Sequence, residues 1–199
     1  MMKKSLVLVP SMLVTTLAFS LVSFSSAAKW QVIEPESRVS FISVKKGDIG
    51  EVHYFKQVAG QLKDNGQFEL SIPLVSVVTG IEVRDDRLKN LLFEVARFPE
   101  LNVSALLDSA VLNALVVGAS KIVEIDGKIK LHGKEQTKTF SVMLTKVSDN
   151  KMVVLSFQPV IVNANEFNLV AGVEKLREIA GLSTISQAVP VSFVLTLTQ

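Results

Sequence analysis

The sequence has no cysteine, one tryptophan, one tyrosine and two histidines among its 199 residues. The absence of cysteine excludes disulfide bonds and thiol catalysis, so the folded chain depends on its hydrophobic core for stability. The histidines, His53 and His132, stand far apart in the chain and form no metal-binding spacing such as His-x-x-x-His. We therefore interpret each as an isolated surface histidine and predict no metal site.

An excess of charge of one sign is also lacking. The chain has 21 Lys and Arg against 19 Asp and Glu, and two of the basic residues, Lys3 and Lys4, lie in a segment that we expect to be removed. The remaining chain is then formally neutral. Nucleic-acid binding needs a basic face, and no cluster of Lys and Arg provides one, so a nucleic-acid partner is not expected.

A catalytic constellation is missing as well. His132 together with a serine and an aspartate could in principle form a hydrolytic triad. However, no Gly-x-Ser-x-Gly motif supplies the nucleophile elbow of the α/β hydrolases. The sequence therefore predicts a protein that is not an enzyme, with no catalytic residue and no cofactor.

A long apolar run lies at the N terminus. It follows a basic start, extends from Leu6 to Phe24 and ends at the small residues Ser26-Ala27-Ala28, which is the pattern of a secretory signal peptide. An uncleaved membrane anchor is the alternative, since a span needs about 20 apolar residues. Pro10 and several serines and threonines interrupt the run, so we favour cleavage.

Cleavage after Ala28 divides the chain into a signal peptide, residues 1–28, and a mature domain, residues 29–199. The mature length suits one domain with a sizeable core. The signal peptide predicts export, to the periplasm if the source is a double-membraned bacterium. The mature protein is then not an integral membrane protein, and no pattern in the sequence indicates its oligomeric state.

Alternation of apolar and polar residues recurs along the mature domain and indicates half-buried β-strands. It is clearest in residues 121–131 and in the last strand, residues 189–197, while another segment has Val153, Leu155 and Phe157 on one side. Short turns separate the segments and no long helix interrupts them, so the pattern predicts an all-β sandwich or barrel. A barrel of about eight strands can enclose one small ligand.

Residues 68–104 combine a strand, a short helix and another strand. The helix has one apolar stripe that can lie over the open end of a barrel, formed by Leu88, Leu91, Leu92 and Val95. Phe98-Pro99 ends the helix, because the residue before a proline is disfavoured in the helical region. The preceding strand places four apolar side chains on one side: Phe68, Leu70, Ile72 and Leu74.

A charged cluster, Arg84-Asp85-Asp86-Arg87, lies near the start of this helix. It could bind a polar head group or take part in catalysis. We favour a structural role, in which Asp85 or Asp86 satisfies free backbone N–H groups near the helix start. In that interpretation Arg84 or Arg87 pairs with a carboxylate or covers carbonyl groups of the neighbouring strand.

Several of these motifs together resemble the YceI-like family, secreted lipocalin-like proteins that bind polyisoprenoids. The resemblance extends over nearly the whole mature domain. The residues that carry it are Ser76-Val77-Val78-Thr79, Arg84-Asp85, Leu88, Phe98-Pro99, the hairpin Leu131-His132-Gly133-Lys134-Glu135-Gln136-Thr137-Lys138 and the valine-rich last strand. The resemblance implies a lipocalin-like antiparallel β-barrel of about eight strands with one or two short helices. It also implies an apolar lipid ligand, a polyisoprenoid or an isoprenoid quinone.

Inward-facing apolar residues are core by default, but their number here is sufficient to line a cavity under the helix. Burial of each ligand CH₂ contributes about 0.8 kcal/mol, so a long apolar chain can bind there for transport, storage or stress response. The predicted lining residues are Phe41, Phe68, Leu70, Ile72, Leu88, Leu92, Phe140, Val142, Leu155, Phe157, Phe193 and Leu195.

Two other functions stay open at this point. The first is a non-enzymatic interaction or stress-response module in which the same side chains simply fill the core. The second is a lipid-modifying enzyme, which the missing acid–base constellation disfavours.

Overall fold

The structure, a computed structural model, describes residues 28–199. Within them the chain forms one sheet of twelve strands and three α-helices. The predicted signal peptide lies outside the described residues, apart from its last residue, Ala28, so its cleavage stays a prediction.

Strands account for most of the described chain. They are β1 (Ala28–Val32), β2 (Arg38–Lys45), β3 (Ile49–Phe55), β4 (Ala59–Lys63), β5 (Gln67–Pro73), β6 (Val77–Val78), β7 (Glu100–Leu106), β8 (Ser120–Leu131), β9 (Lys134–Ser148), β10 (Lys151–Ser156), β11 (Val160–Asn163) and β12 (Ala188–Thr198). The α-helices are α1 (Glu82–Arg87), α2 (Ser109–Ala114) and α3 (Val170–Ile179). A π-helical turn, Leu88–Leu92, continues α1, and 3-10 turns lie at Glu34–Glu36, Leu74–Ser76 and Ala164–Phe167.

Eight of the strands close into an antiparallel barrel. Their order is β1-β4-β5-β7-β8-β9-β10-β12, and β12 pairs again with β1, where Gln31 lies opposite Thr198. A closed ring leaves no free sheet edge in that section. The expected all-β, lipocalin-like barrel with short helices is therefore confirmed, and the sandwich alternative is wrong.

The remaining strands extend the sheet at one end of the barrel. β12 pairs with β1 near Leu197 and with β2 from Val191 to Val194, and the 3-10 turn Glu34–Glu36 joins β1 to β2 along the chain. β3 and β6 then continue the sheet outward from β2. The segment that follows β6 at this end, residues 82–98, is called the lid below.

The alternation predicted for β8 and for the last strand is confirmed. In β8, Ile129 and Leu131 are buried while Lys130 is exposed, and in β12, Phe193 and Leu195 face the interior. The burial of one side chain in two follows from the pleat of a strand that has the barrel interior on one face and solvent on the other.

The alternation predicted for β10 is wrong. Met152 and Val154 face the barrel interior, whereas Phe157 lies beyond the strand and is 49% exposed. Met152 to Leu155 is a continuous apolar run, so a period of two carries no information on which face points inward. The pairing of β9 with β10 shifts by one register step between Lys151 and Met152. A shift of one residue exchanges the side chains that point inward with those that point outward.

Candidate functional site

An apolar cavity lies inside the barrel beneath the lid. Its volume is about 220 Å³, and every side chain that lines it is apolar. Side chains reach it from opposite walls, including Leu70 of β5, Phe140 of β9 and Leu195 of β12. Because each of these strands alternates, the ring of strands gathers one apolar side chain in two around a common interior.

Most of the predicted lining residues meet at this cavity. Nine of them line it: Phe41, Phe68, Leu70, Ile72, Leu92, Phe140, Val142, Phe193 and Leu195. They come from β2, β5, the lid, β9 and β12, which are distant in sequence and are brought together by closure of the barrel.

Three predicted lining residues lie elsewhere. Leu155 and Phe157 are displaced by the facing of β10 described above. Leu88 is buried, at 7% exposure, but it packs in the core outside the cavity lining, and Phe93 occupies the lining with Leu92. The π-helical turn explains this change, because the N–H of Phe93 donates to the carbonyl of Leu88, five residues back. An apolar stripe predicted from the ordinary spacing of an α-helix is therefore displaced by about one residue after a π-helical turn.

Helix α3 also contributes to the cavity, which was not predicted from the sequence. Leu169 and Val173 line the cavity from this helix and from the residue before it. The apolar spacing of Leu169, Val173 and Leu176 is a helical stripe, which is the signal that could have assigned α3 to the cavity. The helix ends at Ile179, and Gly181 shortly after it has φ of +62°, as is common for a glycine that follows a helix.

The lid is held against α3 by a close approach of the two backbones. A Cβ atom added at Gly172 would lie 2.8 Å from the carbonyl oxygen of Leu91 and 2.9 Å from the Cα of Leu92. Any side chain at this position would push the π turn away from α3. Gly172 therefore allows α3 and the lid to close the same end of the cavity as one packed layer.

Charged side chains tie the first turn of the lid to β2 and β3. Glu51 Oε2 accepts hydrogen bonds from Arg84 Nη1 at 2.7 Å and from Lys45 Nζ at 3.0 Å. The hydrogen bond from Lys45, together with the charges of Lys45 and Arg84, lowers the pKa of Glu51. We call Lys45, Glu51, His53, Arg84 and Asp85 the mouth cluster.

The pairing of Arg84 with a carboxylate confirms part of the predicted structural role. Arg84 Nη2 also donates to the carbonyl oxygen of Thr79 at 2.6 Å, and Asp85 Oδ1 accepts from the Thr79 N–H at 2.8 Å and from its hydroxyl. Asp85 thus satisfies a backbone N–H of the preceding loop and not one of α1, whose N-cap residue, Ile81, makes no side-chain cap. The two side chains clamp Thr79 from both sides.

His53 is not a surface residue, contrary to the prediction. Its side chain shares the inward face of β3 with Phe55, and the residue is 3% exposed. Its Nε2 lies 2.8 Å from Ser43 Oγ, and its ring packs 5.2 Å from the ring of Phe41. Burial, and then the charge of Arg84, lower the pKa of His53, so the neutral imidazole is favoured.

His132 is not a free surface residue either. It forms the tip of the β8–β9 hairpin with Gly133, and both residues have positive φ, +49° and +74°, as a two-residue type I′ turn requires. The tip packs against the end of the lid, with the His132 ring 4.4 Å from that of Phe98 and Nε2 3.5 Å from Glu94 Oε2. Sequence reasoning on separate segments could not show this contact between a hairpin tip and the lid.

Residues 28–199 contain neither a cluster of metal-binding side chains nor a membrane-spanning helix. No three His, Asp or Glu side chains in this part of the chain come together in a way that could hold a metal ion. No helix among the same residues is sufficiently long and apolar to span a membrane.

An eight-stranded antiparallel barrel that encloses an apolar cavity beneath a helical lid defines a lipocalin-like protein. Comparison with known families gives the particular one: the YceI-like domain matches residues 30–197. The chain belongs to the YceI-like family, as its motifs indicated. No match was found among curated proteins.

Solved structures agree with this assignment. A polyisoprenoid binding domain from Saccharophagus degradans, implicated in plant cell wall breakdown, has a TM-score of 0.84 and 32% identity, over 86% of this chain and 99% of that chain. Burkholderia cenocepacia BcnA has a TM-score of 0.66 and 18% identity, over 83% of this chain and 98% of that chain. A Campylobacter jejuni YceI protein has a TM-score of 0.54 and 11% identity, over 74% and 84%. The last two likenesses bear on the fold alone.

Proposed function

We propose that this protein binds an apolar lipid, a polyisoprenoid or a prenylated quinone, in the barrel cavity. The observation that carries the proposal is the cavity itself, about 220 Å³ of space lined by apolar side chains alone. Such cavities stay dry, because water needs polar partners, and they accept apolar molecules. The 32% identity to a polyisoprenoid binding domain supports the same class of ligand.

The cavity wall can bind a ligand through apolar contacts but offers no group for acid–base catalysis. Each CH₂ group that a ligand buries contributes about 0.8 kcal/mol, so affinity grows with the length of chain that enters. The lining contains no titratable side chain, and acid–base catalysis needs such a group within hydrogen-bond reach of the reacting atom. We therefore propose a binding protein that acts in transport, storage or stress response, and not an enzyme.

Lipid extraction from the purified protein, combined with native mass spectrometry, tests the proposal. Leu70→Trp places an indole ring in the cavity, and Val52→Trp on the outer face of β3, where Val52 is 69% exposed, is the matched control. We expect wild type and Val52→Trp to carry an apolar lipid. Leu70→Trp should keep a near-normal melting temperature and lose the lipid, because the ring occupies ligand volume.

The filled-core alternative predicts the opposite result. Overpacking of a filled core costs about 1–3 kcal/mol, so Leu70→Trp would be strongly destabilised. If the wild-type protein also yielded no lipid, the interaction or stress-response module would replace the carrier.

Export to the periplasm is a separate part of the proposal. It is supported by the basic start, the apolar run and the small residues Ser26-Ala27-Ala28. The mature N terminus should then be Lys29, which N-terminal sequencing of the periplasmic fraction would show. Recovery of the intact Met1 terminus in the membrane fraction would support the uncleaved anchor instead.

A further inference from the structure

A polar groove of about 480 Å³ lies on the outer face of the barrel wall. We call it the outer groove, and the side chains that matter most to it are Gln61, Glu69, Ser71, Asn102, Ser104 and Lys130. None of these side chains lines the apolar cavity on the other face of the wall. The proposed lipid binding therefore leaves the outer groove without a role.

One row of side chains in the groove has hydrogen-bonding groups that are still free. The strand register places Ser71 of β5 opposite Asn102 of β7, and Asn102 opposite Lys130 of β8. Residues directly opposite each other share a face of the sheet. The three side chains make no hydrogen bond or ion pair with the described residues, although Ser71 and Asn102 are half-buried. The row thus offers a hydroxyl, an amide and an ammonium group side by side.

The neighbouring row is already held in position. Glu69 Oε2 accepts a hydrogen bond from Gln61 Nε2 at 2.8 Å, and Glu69 Oε1 accepts from Gln67 Nε2 at 2.9 Å and from Lys63 Nζ at 3.4 Å. The hydrogen bond from Gln61, and then the charge of Lys63, lower the pKa of Glu69, so its carboxylate is ionised. Ser104 lies opposite Glu69 on β7. This row therefore presents oriented acceptor oxygens, including the amide oxygen of Gln61.

The charges of the groove leave one cation unmatched. Glu69 pairs with Lys63, and Glu135 pairs with Lys128 at 3.3 Å. Lys130 has no carboxylate partner among the described residues. One free cation is too few for a nucleic acid, which needs a basic face, and an apolar ligand would leave the amides and hydroxyls without partners.

A saccharide fits this set of groups. Each sugar hydroxyl both donates and accepts, so it can pair with amide, hydroxyl and carboxylate side chains alike. A carboxylate on the sugar would form a charge-assisted hydrogen bond with Lys130. The two rows cross β4, β5, β7 and β8, which is three strand spacings or about 14 Å. That length suits an oligosaccharide of a few units.

We propose that the outer groove binds an acidic oligosaccharide, which carries both hydroxyl and carboxylate groups. Ser71 and Asn102 hydrogen-bond to hydroxyl groups, Lys130 pairs with the carboxylate, and the oxygens of Gln61 and Glu69 accept from further hydroxyl groups. Leu70 and Val103 border both the groove and the cavity, so the two sites lie on opposite faces of one wall. The saccharide site goes beyond the proposed lipid binding and does not depend on it.

Titrations of the mature protein with trigalacturonate and with galactotriose, its neutral counterpart, test the site. Amide chemical shifts measured by two-dimensional NMR report where each saccharide binds. We expect shifts confined to the outer groove on β4, β5, β7 and β8. Trigalacturonate should bind about fivefold more tightly than galactotriose, the upper value for one exposed ion pair, and this preference should weaken as the salt concentration rises.

Two variants separate the charge from the hydrogen bonds. Lys130→Gln keeps a long polar side chain and removes the charge, so the preference for trigalacturonate should fall to within about twofold. Asn102→Ala removes the central amide and should weaken binding of both saccharides by about threefold to tenfold. Lys121→Gln is the matched control, because Lys121 is an exposed lysine of β8 outside the groove. It should keep the wild-type affinities, and the melting temperatures report whether each barrel is intact.

The outcomes keep this site distinct from the lipid cavity. No chemical-shift change with either saccharide, changes scattered outside the groove, or an unchanged preference in Lys130→Gln would overturn the saccharide site. Lipid extracted from the same samples should be equal in wild type and in all three variants. Failure of the saccharide site therefore leaves the proposed lipid binding in place, and a wild-type protein without lipid would not remove the saccharide site.

Discussion

The cavity wall and the mouth cluster adjoin each other but are built on different principles. The wall consists of apolar side chains from many strands. These side chains would bind a ligand through the apolar surface area that they bury and the shape of the cavity that they form. The mouth cluster consists of a few polar atoms whose partners are individually defined, such as Glu51 Oε2 with Arg84 Nη1 at 2.7 Å. The wall can therefore supply affinity for any apolar chain, whereas the cluster holds the first turn of the lid against β2 and β3.

The largest expected effect comes from truncating the wall. Leu197 is fully buried, at 0% exposure, and lies where β12 meets β1. Leu197→Ala should lower the free energy of unfolding by about 2–5 kcal/mol through lost burial and a new void, measured by urea denaturation. Leu197→Met is the control and should cost under about 1.5 kcal/mol. Equal losses in both variants would show that hydrogen bonding of the closing strand, and not side-chain volume, dominates here.

The next largest effect is expected at the close backbone contact between α3 and the lid. Gly→Ala inside a helix ordinarily stabilises by about 0.5–1 kcal/mol, but at Gly172 the added Cβ would meet the carbonyl of Leu91 at 2.8 Å. Gly172→Ala should therefore destabilise by about 1–3 kcal/mol and increase hydrogen exchange of lid amides. Gly50→Ala, where the nearest atom would be 3.9 Å away, is the control without a clash. A stabilised Gly172→Ala would contradict the tight packing of α3 on the lid.

A smaller effect is expected in the mouth cluster. Asp85→Ala leaves the Thr79 N–H without its acceptor, so it should lower the free energy of unfolding by about 1–2 kcal/mol. Asp86→Ala is the matched neighbour, because Asp86 forms an exposed ion pair with Lys89, worth about 0–1 kcal/mol. Hydrocarbon affinity should not change in either variant. If the two losses were the same, the clamp on Thr79 would have no structural importance.

The smallest effect is a dependence of stability on pH that comes from His53. Its pKa is lowered in the folded state by burial and by Arg84, while in the unfolded chain it stays near about 6.5. The unfolded state therefore binds the proton first as the pH falls, and stability is complete above about pH 6.5 and declines below it toward the folded-state pKa.

Free energies of unfolding at about pH 8 and about pH 5.5 measure this decline on either side of the reference pKa. The difference should shrink in His53→Phe, because the substitution removes the buried imidazole. The carboxylates with lowered pKa, Glu51 among them, have a reference value of 4.5 and titrate below this window. An unchanged pH dependence in His53→Phe would show that the buried imidazole is not its source.

The wall could be predicted from the sequence to a greater extent than the cluster. Period-2 alternation in β5 and β12 was sufficient to place Leu70 and Leu195 in the interior, because the pleat alone decides which face a side chain takes. It failed in β10, where an apolar run hides the inward face, and at Leu88, where the π turn shifts the stripe toward Phe93. The cluster could be predicted only as charges near a helix start.

The sequence by itself determined the strands, the turns, the apolar stripe of the lid and the absence of cysteine chemistry, because these depend on local composition and spacing. Only the tertiary structure decided that the sheet closes, that the lid and α3 share one end of the barrel, and that His53 of the mouth cluster is buried against Phe41. These features depend on contacts between residues distant in the chain, such as Arg84 with Glu51 and Gln31 with Thr198. No local pattern encodes such pairs, since each partner on its own is compatible with a solvent-exposed position.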